Sequence, residues 1–295
     1  MQMDGFTRTE VQTSGARIVT VHGGSGPPLL LLHGNPFTHL SWHKFAPRLA
    51  QEFTVVATDL RGYGDSEKPP SQPDHANYSF RAMALDNVEV MASLGFTRFM
   101  VAGHDRGGRV AYRIALDHPG RVERMATLDI VPTYDMWKGM DRNMAMKVWH
   151  WPFLAQPDPL PEMLIAKAPV EYLEWKMASW TKTKNLSAFD PRALDHYRAA
   201  FSDPLRIHAH CEDYRAGRYA DFTNDEADRK AGKTIDCPLL ALWGGVGIAS
   251  ETGGPLEIWK KWTPGATGKP IDSGHFLTEE NPDATAAAML EFLAA

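Results

Sequence analysis

The feature that most limits the fold is a succession of short apolar runs, each of strand length and each closed by glycine, proline or aspartate. Leu29-Leu30-Leu31-Leu32 ends at His33-Gly34-Asn35-Pro36, and Thr54-Val55-Val56-Ala57-Thr58 ends at Asp59-Leu60-Arg61-Gly62-Tyr63-Gly64. Arg98-Phe99-Met100-Val101-Ala102 ends at Gly103-His104-Asp105. Runs of this kind fit buried strands. Between the second and third, Ser79 to Leu94 carries apolar residues at helical spacing, with Gly95 as its stop. Alternation of strand, helix and strand implies βαβ units around a mostly parallel sheet flanked by helices. Arg124 to Leu128 resumes the strand pattern and closes on Asp129-Ile130-Val131-Pro132.

The character then changes. From Tyr134 to Arg229 the chain is rich in Trp, Met, His and Tyr, reads as helical and shows no strand pattern. Strands return at Pro238 to Trp243 and near Ile271, and Pro282 to Ala295 reads as an amphipathic helix begun by Asn281-Pro282. The expected organisation is one α/β core in two parts, 1–131 and 231–295, with a helical cap inserted at 132–230. An insertion there covers the C-terminal ends of the strands, where open α/β sheets bind ligands.

Composition narrows the partners. The chain has 295 residues, with 31 basic and 36 acidic groups interspersed to a net charge of −5. That excludes a polybasic surface for nucleic acid or membrane. No apolar run approaches the ~20 residues of a membrane helix, and Met1 to Gly5 has neither the basic nor the apolar region of a signal peptide. Cys211 and Cys237 are too few for a disulfide framework and are expected to be free thiols, which points to the cytoplasm.

The chemistry centres on Gly103-His104-Asp105-Arg106-Gly107, which follows a strand and precedes a helix expected over Gly108 to Leu116. This is the strand–turn–helix setting of the G-x-S-x-G nucleophile motif, with Asp in place of Ser. An aspartate presented there is a carboxylate nucleophile that forms an ester; the alternative is an Asp that merely caps the helix. His33-Gly34-Asn35-Pro36 lies where the second backbone donor of an oxyanion hole belongs, and His275 in Ser273-Gly274-His275-Phe276 supplies a base in the right chain order. The segment after the strand ending at Leu242-Trp243 has no acid before Glu251. Asp129, after the preceding strand, is therefore the expected partner of His275, or else a structural aspartate in a turn. Arg106 and Arg109 lie three apart on one helical face and would grip a small carboxylate, unless they are surface residues of an exposed helix.

Taken with Leu128-Asp129-Ile130-Val131-Pro132-Thr133-Tyr134, Trp149-His150-Trp151 and Cys211-Glu212-Asp213-Tyr214-Arg215-Ala216, these motifs resemble the fluoroacetate (haloacetate) dehalogenases of the α/β-hydrolase fold, over essentially the whole chain. The resemblance implies Asp105 as nucleophile, Asp129 and His275 completing a triad, and Arg106 and Arg109 binding the substrate carboxylate. It implies a halide pocket of His150, Trp151 and Tyr214, with backbone N–H groups of Asn35 and Arg106 as the oxyanion hole. No cofactor and no metal take part, and the partners are a small haloacid, water and a second copy of the chain. In composition alone the three pocket residues read first as aromatic core, and the resemblance carries their pocket role. Asn35 departs from the family, which usually has an aromatic residue there. An epoxide hydrolase of this fold would typically have Trp, not Arg, after the nucleophile, and a non-catalytic carboxylate-binding relative would keep the arginines with an idle triad. His39 with His43, and His208 with His210 and Cys211, have the spacing of metal ligands but no third partner. Asp59 to Gly64 reads as a structural turn.

Overall fold

The computed structural model describes residues 3–295; Met1 and Gln2, part of the N-terminal stretch read above, lie outside the described residues. Eight strands form one sheet: β1 (Thr7–Gln12), β2 (Arg17–Gly23), β3 (Pro28–Leu32), β4 (Thr54–Thr58), β5 (Phe99–His104), β6 (Val122–Leu128), β7 (Leu239–Gly244) and β8 (Thr267–Ile271). Their order is β1-β2-β4-β3-β5-β6-β7-β8. β2 runs antiparallel to both its neighbours, β1 and β4, and every other pair is parallel. Every strand from Leu29 onward that the apolar pattern points to is present. The antiparallel pair was not foreseen, because β1 is a polar, largely exposed edge with no apolar run to mark it and Thr20 breaks the run of β2.

The central strands are apolar at consecutive positions because both faces are covered. Leu29 and Leu31 enter one apolar cluster and Leu30 and Leu32 the other, all fully buried. Each leucine buried this way contributes roughly 1.5–3 kcal/mol. Core helices are α1 (Ala46–Leu49), α2 (Phe80–Ser93) and α3 (Arg106–Asp117). Ser79 caps α2, its hydroxyl accepting from the Ala82 N–H. The helix expected from Gly108 starts two residues earlier, so Arg106 occupies its first turn.

Between β6 and β7 every regular element of the described chain is a helix: α4 (Thr133–Lys138), α5 (Arg142–Lys147), α6 (His150–Leu154), α7 (Leu160–Ile165), α8 (Pro169–Trp180), α9 (Pro191–Phe201), α10 (Pro204–Ala216) and α11 (Phe222–Lys230). A π-helical stretch, Gly217–Asp221, joins the last two. The chain returns through β7, α12 (Pro255–Lys260) and β8, and ends in α13 (Leu277–Glu280) and α14 (Pro282–Leu293). None of the described helices is long and apolar enough to cross a membrane. Register brings Leu32 beside Gly103, His104 beside Leu128, and Leu128 beside Leu242. The loops that begin at His33, Asp105, Asp129 and Gly245 therefore open side by side at one sheet edge.

Candidate active site

Asp105 stands on the turn between β5 and α3 with φ 47° and ψ −118°, a backbone conformation costly for a residue with a Cβ. The glycines around it are required by contact: a Cβ on Gly103 would lie 2.3 Å from the Gly107 carbonyl oxygen, and one on Gly107 would lie 2.2 Å from that of Leu32. The turn thus presses against β3, and the Asn35 N–H donates to Asp105 Oδ2 at 3.0 Å. Asp105 is 7% exposed. Burial would raise its pKa, but His275, His104, Arg106 and Arg109 outweigh that effect and hold the carboxyl below its ordinary value. The Arg106 N–H, expected as second oxyanion donor, makes no bond to this carboxylate in the structure.

Asp129 follows β6, also at positive φ (51°). Its Oδ2 lies 2.6 Å from His275 Nδ1. Its two oxygens accept from the N–H groups of Gly244 and Ile248, both at 3.0 Å. The segment after β7 thus supplies donors to Asp129 and no acid of its own. His275 is held from behind by His104, whose Nε2 meets its carbonyl oxygen at 2.8 Å. Its own Nε2 is buried without a protein partner. Burial disfavours the imidazolium, but the hydrogen bond and charge of Asp129, with the charge of Asp105, raise the His275 pKa.

Arg106 and Arg109 are both buried, so they are not residues of an exposed face. Arg109 donates from Nη1 to the Val131 carbonyl oxygen at 2.7 Å and to Thr133 Oγ1 at 3.2 Å, leaving Nε unpartnered. Arg106 differs from the expected free fork. Its Nε and Nη2 are engaged by the Asp213 carboxylate at 2.8 and 2.5 Å, which leaves only Nη1 unpartnered. Burial opposes the Arg106 charge, and Asp213 more than restores it. The guanidinium carbons lie over aromatic faces, Arg106 4.2 Å from Tyr214 and Arg109 4.6 Å from Trp151.

The cap completes the enclosure. His150 packs between Tyr214, 5.5 Å away, and Trp180, 4.4 Å away, and Trp180 in turn faces His275 at 5.4 Å. The Tyr214 hydroxyl, His150 Nδ1 and Trp180 Nε1 are buried without partners. Burial, then the Asp105 charge, pushes the Tyr214 phenol well above its ordinary pKa, so it stays protonated and able to donate. Burial, with Lys176 next, pushes His150 well below its own, so it stays neutral. A carboxylate, a His–Asp pair, two guanidiniums and several uncommitted donors are thus gathered in one buried cluster. Such a set can hold a small anion against a carboxylate nucleophile and then deliver activated water.

The pattern of the alpha/beta hydrolase fold matches residues 27–282. The chain belongs to the alpha/beta hydrolase fold family. Within it, a fluoroacetate dehalogenase of Burkholderia sp is 46% identical over 98% of this chain and 94% of its own length. The resemblance read from the motifs therefore extends to whole-chain similarity. A soluble epoxide hydrolase of Corynebacterium sp. (strain C12) is 32% identical over 98% of both chains. The crystal structure of ALR0039 from Nostoc sp PCC 7120 matches this alpha/beta hydrolase with a TM-score of 0.96 at 51% identity, over 99% of each chain.

The other motifs resolve into separate contacts. His39 binds Asp59 at 2.8 Å while His43 turns to the Leu40 carbonyl oxygen. His208 meets Glu162 at 3.0 Å, whereas His210 lies 3.3 Å from the Asn35 amide nitrogen. His208 does group with Asp158 and Glu162 at the cap surface, but Arg215 already occupies Glu162 at 2.7 Å. Both cysteines are free and buried. Sequence reasoning missed two residues of the site. Asp213 sits in the Cys211–Ala216 motif without an assigned role, though an acid beside Tyr214 in an aromatic cap needs a cation. Lys176 carries a clearer signal, since it interrupts the stripe Leu173, Met177, Trp180 on the buried face of α8.

Proposed function

We propose that this protein is a hydrolytic haloacetate dehalogenase, with fluoroacetate its favoured substrate and glycolate and halide its products, acting in the cytoplasm as a homodimer without cofactor or metal. Residues 132–230 form its cap, between core parts 1–131 and 231–295. The observation that carries the reading is a buried Asp105 whose carboxyl is held below its ordinary value by His275, His104 and the two buried guanidiniums. Arg109 Nε and Arg106 Nη1 are the donors for the substrate carboxylate. Asp105 Oδ1, which carries no hydrogen bond, attacks the α-carbon, and the carbon–halide bond pair leaves with the halide toward His150, Trp151 and Tyr214. His275 Nε2 then takes a proton from water, whose oxygen attacks the Asp105 carboxyl carbon. The oxyanion forms on Oδ2 against the N–H groups of Asn35 and Arg106. Collapse re-forms the carboxyl group and expels glycolate alkoxide, which takes the proton from His275. One proton is released per halide.

The test is halide release from fluoroacetate and chloroacetate, followed with ion-selective electrodes, together with His275→Ala. The variant is expected to release about one halide per site and stop, with a mass increase on the peptide containing Asp105. Absence of that adduct, with a wild type that turns over, overturns the ester mechanism. A greater kcat/KM for chloroacetate overturns the fluoride preference. Epoxide hydrolysis is the rival, favoured by the 32% relative and by the unpartnered Tyr214 hydroxyl. Turnover of a simple epoxide with no halide release from either acid would replace the reading. Neither activity would leave a carboxylate-binding protein.

A further inference from the structure

The Asn35 side chain is fully buried and is not idle. Its Oδ1 accepts from Lys176 Nζ at 2.5 Å. Its amide nitrogen lies 3.3 Å from His210 Nδ1 and 3.4 Å from the Tyr63 hydroxyl. Tyr63 donates to Asp213 at 2.5 Å, and Asp213 holds Arg106. A continuous polar network therefore runs from a cap helix, under the oxyanion loop, to the residue after the nucleophile.

Lys176 is the unusual member. It is fully buried, it sits about equally over the rings of Tyr172, Trp180 and Phe201 at 5.4–5.5 Å, and its single hydrogen bond goes to a neutral amide. Burial pushes it down to about 7, and Asp105 is the only carboxylate among the described residues whose charge acts against that shift. An ammonium so placed is costly unless negative charge develops beside it.

We propose that Lys176, anchored on the Asn35 side chain, is a positioning residue for the second half-reaction: it holds a positive charge close to Asp105 and so speeds hydrolysis of the Asp105 ester, not its formation. The inference rests on the ester mechanism proposed above. In the displacement step, negative charge leaves Asp105 for the halide, so a cation near Asp105 favours the reactant carboxylate and lends the step no help. In the hydrolysis step the neutral ester gains a full negative charge on Oδ2, the oxygen that the Asn35 N–H already holds. A preorganised charge close to Asp105 lowers the barrier.

Lys176→Met keeps the volume and deletes the charge. Losing a direct oxyanion donor costs about 10²–10³-fold, so a charge acting through Asn35 is expected to be worth about 10–100-fold. With chloroacetate, kcat and KM should fall together by that factor while kcat/KM stays within about threefold of wild type. Mass spectrometry should find the Asp105 ester accumulating during turnover and decaying slowly once substrate is removed. Asn35→Leu keeps the backbone N–H and removes the anchor; it should slow ester decay likewise, and the double variant should be no slower than the slower single. Ester decay at the wild-type rate, or a fall in kcat/KM without ester accumulation, overturns the inference. Additive losses in the double variant overturn the link through Asn35. His275→Ala separates the levels: no adduct in that variant defeats the ester mechanism itself, whereas its adduct beside normal decay in Lys176→Met defeats only the role of Lys176.

Discussion

His275 illustrates how one contact sets the useful pH range of a residue. The imidazole works as a base only when neutral, so turnover should rise with pH through its pKa. That pKa is raised, since Asp129, with help from Asp105, more than offsets burial. In the free protein His275 should accordingly titrate above the ordinary histidine value of about 6.5. The acidic limb of kcat reports the ester state, where Asp105 carries no charge and Asp129 alone supports the imidazolium, so its midpoint should be lower than in the free protein. Asp129→Asn removes the charge and leaves the burial, so the midpoint should move to lower pH. The same change leaves imidazole tautomer and orientation unspecified, and kcat at neutral pH should drop by about 10³–10⁴-fold. Ester formation on Asp105, which needs no base, should persist in this variant. Measuring kcat from pH 5 to 9 for both proteins checks the direction; an unshifted midpoint would remove Asp129 from control of His275.

At the scale of elements, the site exists because β3, β5, β6 and β7 end level with one another. The chain must turn sharply at each end, and only close backbone contact keeps those turns together. Gly107 is the tightest case, packed on the carbonyl oxygens of Leu32 and His33 at 2.2 and 2.4 Å from where a Cβ would stand. Neither oxygen can yield without pulling β3 from the sheet. Gly107→Ala should therefore destabilise the fold by more than about 3 kcal/mol, among the larger effects of single substitutions. Gly265→Ala meets nothing within 4 Å and serves as the control, expected within about 0.5 kcal/mol. Urea unfolding of both proteins tests the contrast. Equal stability of the two would mean that the turn has room the packing does not suggest.

At the scale of the whole molecule, the cap closes the site from above and exposes apolar side chains outward, among them Met146, Met163, Leu164, Trp175 and Leu205. A second copy covering such surface fits the proposed homodimer. Sedimentation equilibrium is expected to give twice the chain mass of 32.8 kDa; a single-chain mass at micromolar concentration would contradict it. What could be read from the residues alone was local or ordered along the chain. Buried strands announce themselves by short apolar runs, the helices between β6 and β7 by the loss of that pattern after Pro132, and the tight turn at Asp105 by the glycines around it. Asp129 was legible by elimination, because the segment after β7 has no acid to offer. The antiparallel pair was not legible for two reasons: β1 is an exposed polar edge that needs no apolar run, whereas β2 does bury Ile18, Val19 and Val21 but breaks the apolar run with Thr20. Nor was the division of labour between the two arginines: spacing put Arg106 and Arg109 on one face, but only packing of the cap brings Asp213, 107 residues away in sequence, onto Arg106. Lys176 and Asn35 are 141 residues apart and meet for the same reason. Periodicity and turn chemistry are properties of neighbours and are written in sequence. Pairing of buried charges depends on which distant surfaces exclude water together, and that is decided only in the folded chain.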